Sequence, residues 1–195
     1  MISSRSQIDL LERSIDYALV GIAAVDPSML HRQTPCSEWD LHDLLSHLAD
    51  SILTLSELLS GAVGRTSGCG PAARATDAAL DLRQTIASVD ARFVGSVGTI
   101  DRLPIARRDV ILTGALEIAI HAWDVEQVSS HPKPIPAQLA RDLLPPAPLL
   151  LDSATRRDLF APPVEPMFGA TAAERLVAFC GRAARSWANA SLNSC

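Results

Sequence analysis

Val110–Val125 reads VILTGALEIAIHAWDV, and this stretch decides the fold. It is apolar on almost every side, so as a helix it is expected to be largely buried. Its only ionisable residues are Glu117, His121 and Asp124. At about 100° per residue, the i, i+4, i+7 spacing gathers these three within roughly 60° of one helical face. Buried ionisable groups are costly unless they are paired or bound to a metal. A helix that is apolar elsewhere and concentrates Glu, His and Asp in one spot is therefore the strongest pointer to chemistry.

Working outward, the rest of the chain supplies helices to bury this one. Over residues 4–25 the apolar positions Ile8, Leu11, Ile15, Leu19, Ile22 and Ala23 form a stripe that ends at Asp26-Pro27. A second helix is expected from about Glu38 to Leu59, on Leu41, Leu44, Leu45, Leu48, Ile52, Leu55 and Leu59. Ser37 would be its N-cap, with Asp40 three residues on, and Gly61 and Gly64 would close it. Gly61–Pro71 is a glycine-rich loop without the pattern of a phosphate loop. Ala72–Val97 reads as a third helix, Gly95–Pro104 as its connection, and the central helix as about Ile105 to Val128. After the Ser129–Pro136 loop, Ala137–Leu144 is a shorter helix broken by prolines. Asp152–Ala170 is proline-bearing and extended, and Thr171 caps a last helix, Ala172–Trp187, with Glu174 at its third position. No segment shows strand alternation over four or more residues. The expectation is one all-α domain over residues 1–195: a four-helix bundle with an extra short helix and an extended C-terminal segment.

The balance of residues narrows the function. Across 195 residues, 48% hydrophobic and 20% charged side chains with a net charge of −5 suit a soluble globular protein and give nucleic acid no basic face. Aromatics, at 4%, leave few platforms on which bases stack. The densest apolar run, Leu143–Leu151, is interrupted by Pro145, Pro146 and Pro148, so no membrane span is expected. The charges at Arg5, Asp9, Glu12, Arg13 and Asp16 leave no apolar core for a signal peptide, so the cytoplasm is the expected location. Of the 17 basic residues only Lys133 is lysine, which with the many alanines and prolines suggests a GC-rich genome. Cys36, Cys69, Cys180 and Cys195 are scattered without a CxxC pair and read as thiols in a reducing compartment. Cys36 is the first candidate for reactivity, and Cys180 reads as core.

His47 lies at the edge of the second helix's leucine stripe, where a side chain points obliquely into a bundle; Asp43 and Asp50 flank it at i−4 and i+3 as partners able to orient its ring. A lone helical histidine is more often a satisfied, half-buried side chain than a ligand. His42 falls on another face, and His31 and His131 lie in loops. One histidine from a second helix, with Glu117 and His121 one turn apart, makes a His2Glu set of the kind that holds Zn²⁺ and leaves a further position for water or substrate. Iron(II) and nickel accept the same donors. The plainer alternative is a buried Glu117–His121 pair with a structural role.

Three stretches carry a family resemblance: TPCSEWDLHDLLSHLADS (Thr34–Ser51), LEIAIHAWDVEQV (Leu116–Val128) and LFAPPVEP…ERLVAFCGR (Leu159–Arg182). Together they resemble the DinB-like metal-binding superfamily. The nearest branch is the actinobacterial one that includes the N-terminal domain of mycothiol-dependent maleylpyruvate isomerase. The resemblance implies a DinB-type bundle whose divalent metal, usually zinc, falls to His47, Glu117 and His121. Asp124 would stand behind these ligands or fix the helix, and Trp39 and Trp123 would pack around the site. It also implies a metal-dependent transferase or isomerase that activates a low-molecular-weight thiol such as mycothiol, or a substrate oxygen. The chain is expected to lack the isomerase's extra C-terminal domain, which argues against maleylpyruvate as its substrate. The alternatives are a lyase, hydrolase or cyclase working without a thiol, and a non-catalytic metal- or small-molecule-binding protein. A thiol enzyme would rim its cavity with polar groups such as Arg32, Arg107, Arg108, Arg156 and Arg157. The expected partner is a small-molecule substrate, with a homodimer left open.

Overall fold

A computed structural model describes residues 4–88, 97–100, 103–151 and 160–183. Helix α1, Ser4–Ala23, buries Leu10, Leu11, Ile15, Ala18 and Ile22, while Leu19 is half-buried and Ala23 exposed. It stops short of Asp26-Pro27, where the Asp26 carboxylate accepts the Ser28 N–H at 2.8 Å and caps a single 3-10 turn, Pro27–Met29. Helix α2, Leu41–Ser60, buries the whole leucine stripe expected of it, from Leu41 through Leu59. Its N-cap is Asp40, whose side chain accepts the Asp43 N–H at 3.0 Å, and not Ser37. Residues 36–39 are held in a turn instead, with the Trp39 N–H donating to Cys36 O, so the helix begins later than the sequence suggests. Gly61 ends α2 in the left-handed conformation, φ 74°, which costs glycine nothing.

Helix α3, Pro71–Ser88, buries Ala75, Ala78, Ala79, Leu82 and Ile86. Of the longer helix expected here, residues 89–96 lie outside the described residues. Val97 lies in a strand: β1, Val97–Ile100, pairs antiparallel with β2, Leu103–Ala106, in the register Val97↔Ala106 to Ile100↔Leu103. Each strand is four residues long and one contains Gly98, the other Pro104, so there is no run of alternation to read. Ile105 accordingly belongs to this hairpin, and the central helix α4 starts at Arg107 and runs to Gln127.

The described chain divides into two units, residues 1–133 and 134–195. In the first, α1 packs against α3 and α4, and α2 packs against the same two, which closes a four-helix bundle. Its interior is aliphatic, with Leu11, Ile15, Leu44, Leu45, Leu48, Ile52, Leu82 and Leu116 all but excluded from solvent. At roughly 25 cal/mol per Å² of apolar surface removed from water, this burial is the main force assembling the helices. The second unit holds α5 (Ala137–Leu143), the one-turn α6 (Ala147–Leu150) and α7 (Ala172–Phe179), with α5 packed on α7. The capping box of α7 is formed: Thr171 Oγ1 accepts the Glu174 N–H, and Glu174 Oε2 accepts the Thr171 N–H. This helix ends eight residues before Trp187, because Gly181 adopts φ 80° and a Cβ there would lie 2.6 Å from Ala161 O. Trp187 and Cys195 lie outside the described residues. Residues 160–167 lie outside any helix or strand, as their prolines favour, and a turn follows in which the Ala170 N–H donates to Met167 O at 3.0 Å.

Candidate metal centre

Glu117, His121 and Asp124 are the only ionisable residues in the apolar stretch Val110–Val125 of α4, and three residues from other segments meet them inside the bundle. His47 Nε2, from α2, lies 3.0 Å from Glu117 Oε1; His121 Nε2 lies 3.2 Å from the same oxygen. One atom from each of His47, Glu117 and His121 can be chosen so that all lie within 4.8 Å of one another. Behind them, His121 Nδ1 donates to Asp124 Oδ2 at 3.1 Å, and Asp124 is wholly buried. The Cys36 thiol donates to that same Oδ2 at 3.3 Å. Trp39 covers the imidazoles, its ring centroid 4.4 Å from that of His47 and 6.0 Å from that of His121.

Charge follows from this geometry. Burial opposes ionisation of Glu117, but the charge of His121 and hydrogen bonds from both histidines outweigh it and hold the carboxyl far below the usual carboxylate range. Burial likewise opposes protonation of His121. The Glu117 carboxylate, with hydrogen bonds involving Asp124, Cys36 and Glu117, outweighs that too and raises the imidazole well above its ordinary 6.5. Both directions favour the charged forms, imidazolium on His121 and carboxylate on Glu117.

Among the described residues, no helix is long and apolar enough to cross a membrane. The family model of the mycothiol maleylpyruvate isomerase N-terminal domain matches residues 11–126, well over half of the chain. The chain belongs to this family. No curated protein and no solved structure gave a match.

The family match spans all six residues of the cluster and ends within the first unit. In this member of the mycothiol maleylpyruvate isomerase N-terminal domain family the two aspartates expected to orient His47 turn elsewhere. Asp43 turns to His42 at 3.5 Å and Asp50 to Arg74 at 2.9 Å, so the His47 ring is set by Glu117, Trp39 and Ser51 Oγ at 3.4 Å. His42 is on the outside of α2, and His31 and His131 are exposed. Trp123 is buried in the core. The arginines serve the fold: Arg107 Nη1 donates to Leu58 O and Leu59 O at the end of α2, Arg32 Nη1 to Val128 O, and Arg108 pairs with Asp109. Arg156 and Arg157 lie outside the described residues.

A second buried polar group was not legible in the sequence. Tyr17 donates to Lys133 O at 2.8 Å, and the Lys133 N–H donates to Glu126 Oε2 at 2.9 Å. Burial, reinforced by the Glu126 and Asp124 carboxylates, pushes the Tyr17 phenol far above its ordinary value. This group ties the loop after α4 back onto α1.

Proposed function

We propose that His47, Glu117 and His121 hold one divalent metal, zinc foremost, with nickel or iron(II) accepted by the same donors. The observation that carries this is the convergence of two imidazole Nε2 atoms on one carboxylate, with His121 Nδ1 engaged from behind by Asp124. Such a carboxylate–histidine arrangement fixes the tautomer, so that Nε2 is the nitrogen presented to an ion. Two neutral imidazoles and one carboxylate suit zinc as three protein ligands with a further position for a reactant.

The chemistry such an ion supplies when bound is a lowered pKa for a thiol, or polarisation of a substrate oxygen. Family membership favours the first, with a low-molecular-weight thiol of the mycothiol kind attacking an electrophilic small molecule in a transfer or isomerisation. In that reaction His47 and His121 bind, and Glu117 offsets the positive charge. Asp124 keeps the proton on His121 Nδ1. Trp39 packs, tilted by about 40°, against both rings and limits how far they can turn. The reaction is expected to run in the cytoplasm, on a small molecule and not on nucleic acid or membrane.

Metal content by mass spectrometry of wild type, His47→Ala, His121→Ala and His42→Ala tests the site. About one metal per chain is expected in wild type and His42→Ala, and none in the other two. A wild type that stays empty after reloading with zinc or nickel overturns the proposal and leaves a structural ion pair.

A further inference from the structure

We infer that Cys36 is a positioning residue for the proposed metal site, acting through Asp124 on His121; this rests on the metal reading above. The loop before α2 is built to deliver this thiol. Its two ends are tied together, with the Leu41 N–H donating to Arg32 O at 3.0 Å and the His42 N–H to Leu30 O at 2.8 Å. Inside the loop the buried Thr34 hydroxyl lies 2.8 Å from Trp39 O and 3.1 Å from Cys36 O, and it accepts the Cys36 N–H at 3.2 Å. One threonine therefore fixes both residues that the loop sends to the site: Trp39 over the imidazoles, and Cys36 onto Asp124.

What the thiol does there follows from where Asp124 sits. Its carboxylate is excluded from solvent, and a buried carboxylate needs donors from the protein. Asp124 Oδ2 receives two that belong to different segments, His121 Nδ1–H from its own helix and Cys36 S–H from the loop. With the oxygen pinned from the loop side, the carboxylate cannot swing about its own helix, and the His121 ring it holds cannot turn Nε2 away from Glu117. Cys69 is exposed and Cys180 is buried in the second unit.

Partners of this kind behind a ligand typically change metal affinity by about 10- to 100-fold when removed. Zinc affinity is therefore measured by competition with a chromophoric chelator for wild type, Cys36→Ala and Cys36→Ser. Cys36→Ala is expected to weaken zinc by about 10-fold or more. Cys36→Ser, which keeps an O–H donor, is expected to stay close to wild type. In the zinc-loaded protein the His121 Nδ1–H proton should be slow to exchange in wild type and Cys36→Ser, and fast in Cys36→Ala.

A reversible cap keeps the test independent of refolding. In a background with Cys69 and Cys195 changed to serine, methyl methanethiosulfonate converts Cys36–SH to Cys36–S–S–CH3 and releases methanesulfinic acid. The S–H donor is lost, zinc should weaken as in Cys36→Ala, and reduction should restore it. If wild type binds no zinc, the metal reading itself has failed. If wild type binds and Cys36→Ala and the capped protein bind equally well, the positioning role is overturned while the metal site stands. Equal weakening in Cys36→Ser and Cys36→Ala would also overturn it, because the donor would then not be what matters.

Discussion

Gly114 sets how closely α4 approaches α2, and replacing it tests whether that approach builds the site. A Cβ added at Gly114 would lie 2.3 Å from Leu55 Cδ2, 3.1 Å from Cδ1 and 3.3 Å from Cγ. Carbon atoms pack best at about 3.5–4.0 Å, so the new methyl must displace Leu55 or push the helices apart. Leu55 is only 5% exposed and has little room to turn. The wedge would sit three residues, about 4.5 Å along the axis, from Glu117. Any separation there lengthens the 3.0 Å contact between Glu117 and His47. In Gly114→Ala the gain in helix propensity, about 1 kcal/mol, opposes an overpacking cost of about 1–3 kcal/mol. A net loss of about 1 kcal/mol corresponds to a fall of about 2–4 °C in Tm for a chain of this size. Gly114→Val adds bulk and a β-branch, and is expected to lose about 3 kcal/mol. Zinc affinity should fall in the same order. Leu55→Ala alone leaves a cavity worth about 2–5 kcal/mol. Combined with Gly114→Ala it should cost less than the sum by about 1 kcal/mol or more. Thermal unfolding of the metal-free proteins and zinc titration read both effects. A Gly114→Ala protein as stable as wild type, with unchanged zinc affinity and strict additivity with Leu55→Ala, would refute the reasoning.

Loading the site should raise stability: at a free metal concentration 100 times Kd the gain is about 2.7 kcal/mol. That is a rise of about 5–10 °C in Tm, reversed by EDTA, and identical melting with and without metal would count against the site. Zinc binding should strengthen as pH rises, because the raised His121 must give up its Nε2 proton to coordinate. Metal-free stability should run the other way. The contribution of His121 is complete below its unfolded value of about 6.5 and is lost as pH climbs through its raised folded value. That of Glu117 is complete above about 4.3 and is lost only as pH falls through its depressed folded value. Titration calorimetry in buffers of different ionisation enthalpy measures the released proton, and a count of zero would contradict the charge assignment. Thr171→Ala should cost about 1 kcal/mol through loss of the α7 cap and leave zinc affinity unchanged, which thermal unfolding and zinc titration together check.

How much of this was legible follows from what each feature needs in order to show in a linear pattern. The bundle was legible because a buried stripe repeats every three or four residues, and Leu41 through Leu59 is such a stripe in full. The cluster on α4 was legible because three ionisable residues interrupt the apolar stretch Val110–Val125 at fixed spacing. The hairpin was not, since two four-residue strands carrying Gly98 and Pro104 give periodicity nothing to act on. The start of α2 was misplaced because Ser37 and Asp40 are both good caps, and only the turn made by Thr34, Cys36 and Trp39 chooses between them.

That same turn explains why the sequence marks Cys36 as a candidate for reactivity and not as a residue that positions another. The contact that matters, Cys36 to Asp124, spans 88 residues and depends on a loop whose ends are clamped by backbone hydrogen bonds that no side-chain pattern encodes. Gly114 is silent for a related reason: within one helix a glycine reads as a weak point, and only the Leu55 side chain against it shows that a larger residue would not fit. The ligand types of a site can be read along one helix. The spacing and orientation that make them act together come from the partners of that helix, here Leu55 on α2 and the Thr34–Trp39 loop. Substitutions at Gly114 and Cys36 should therefore disturb the site while all three proposed ligands remain in place.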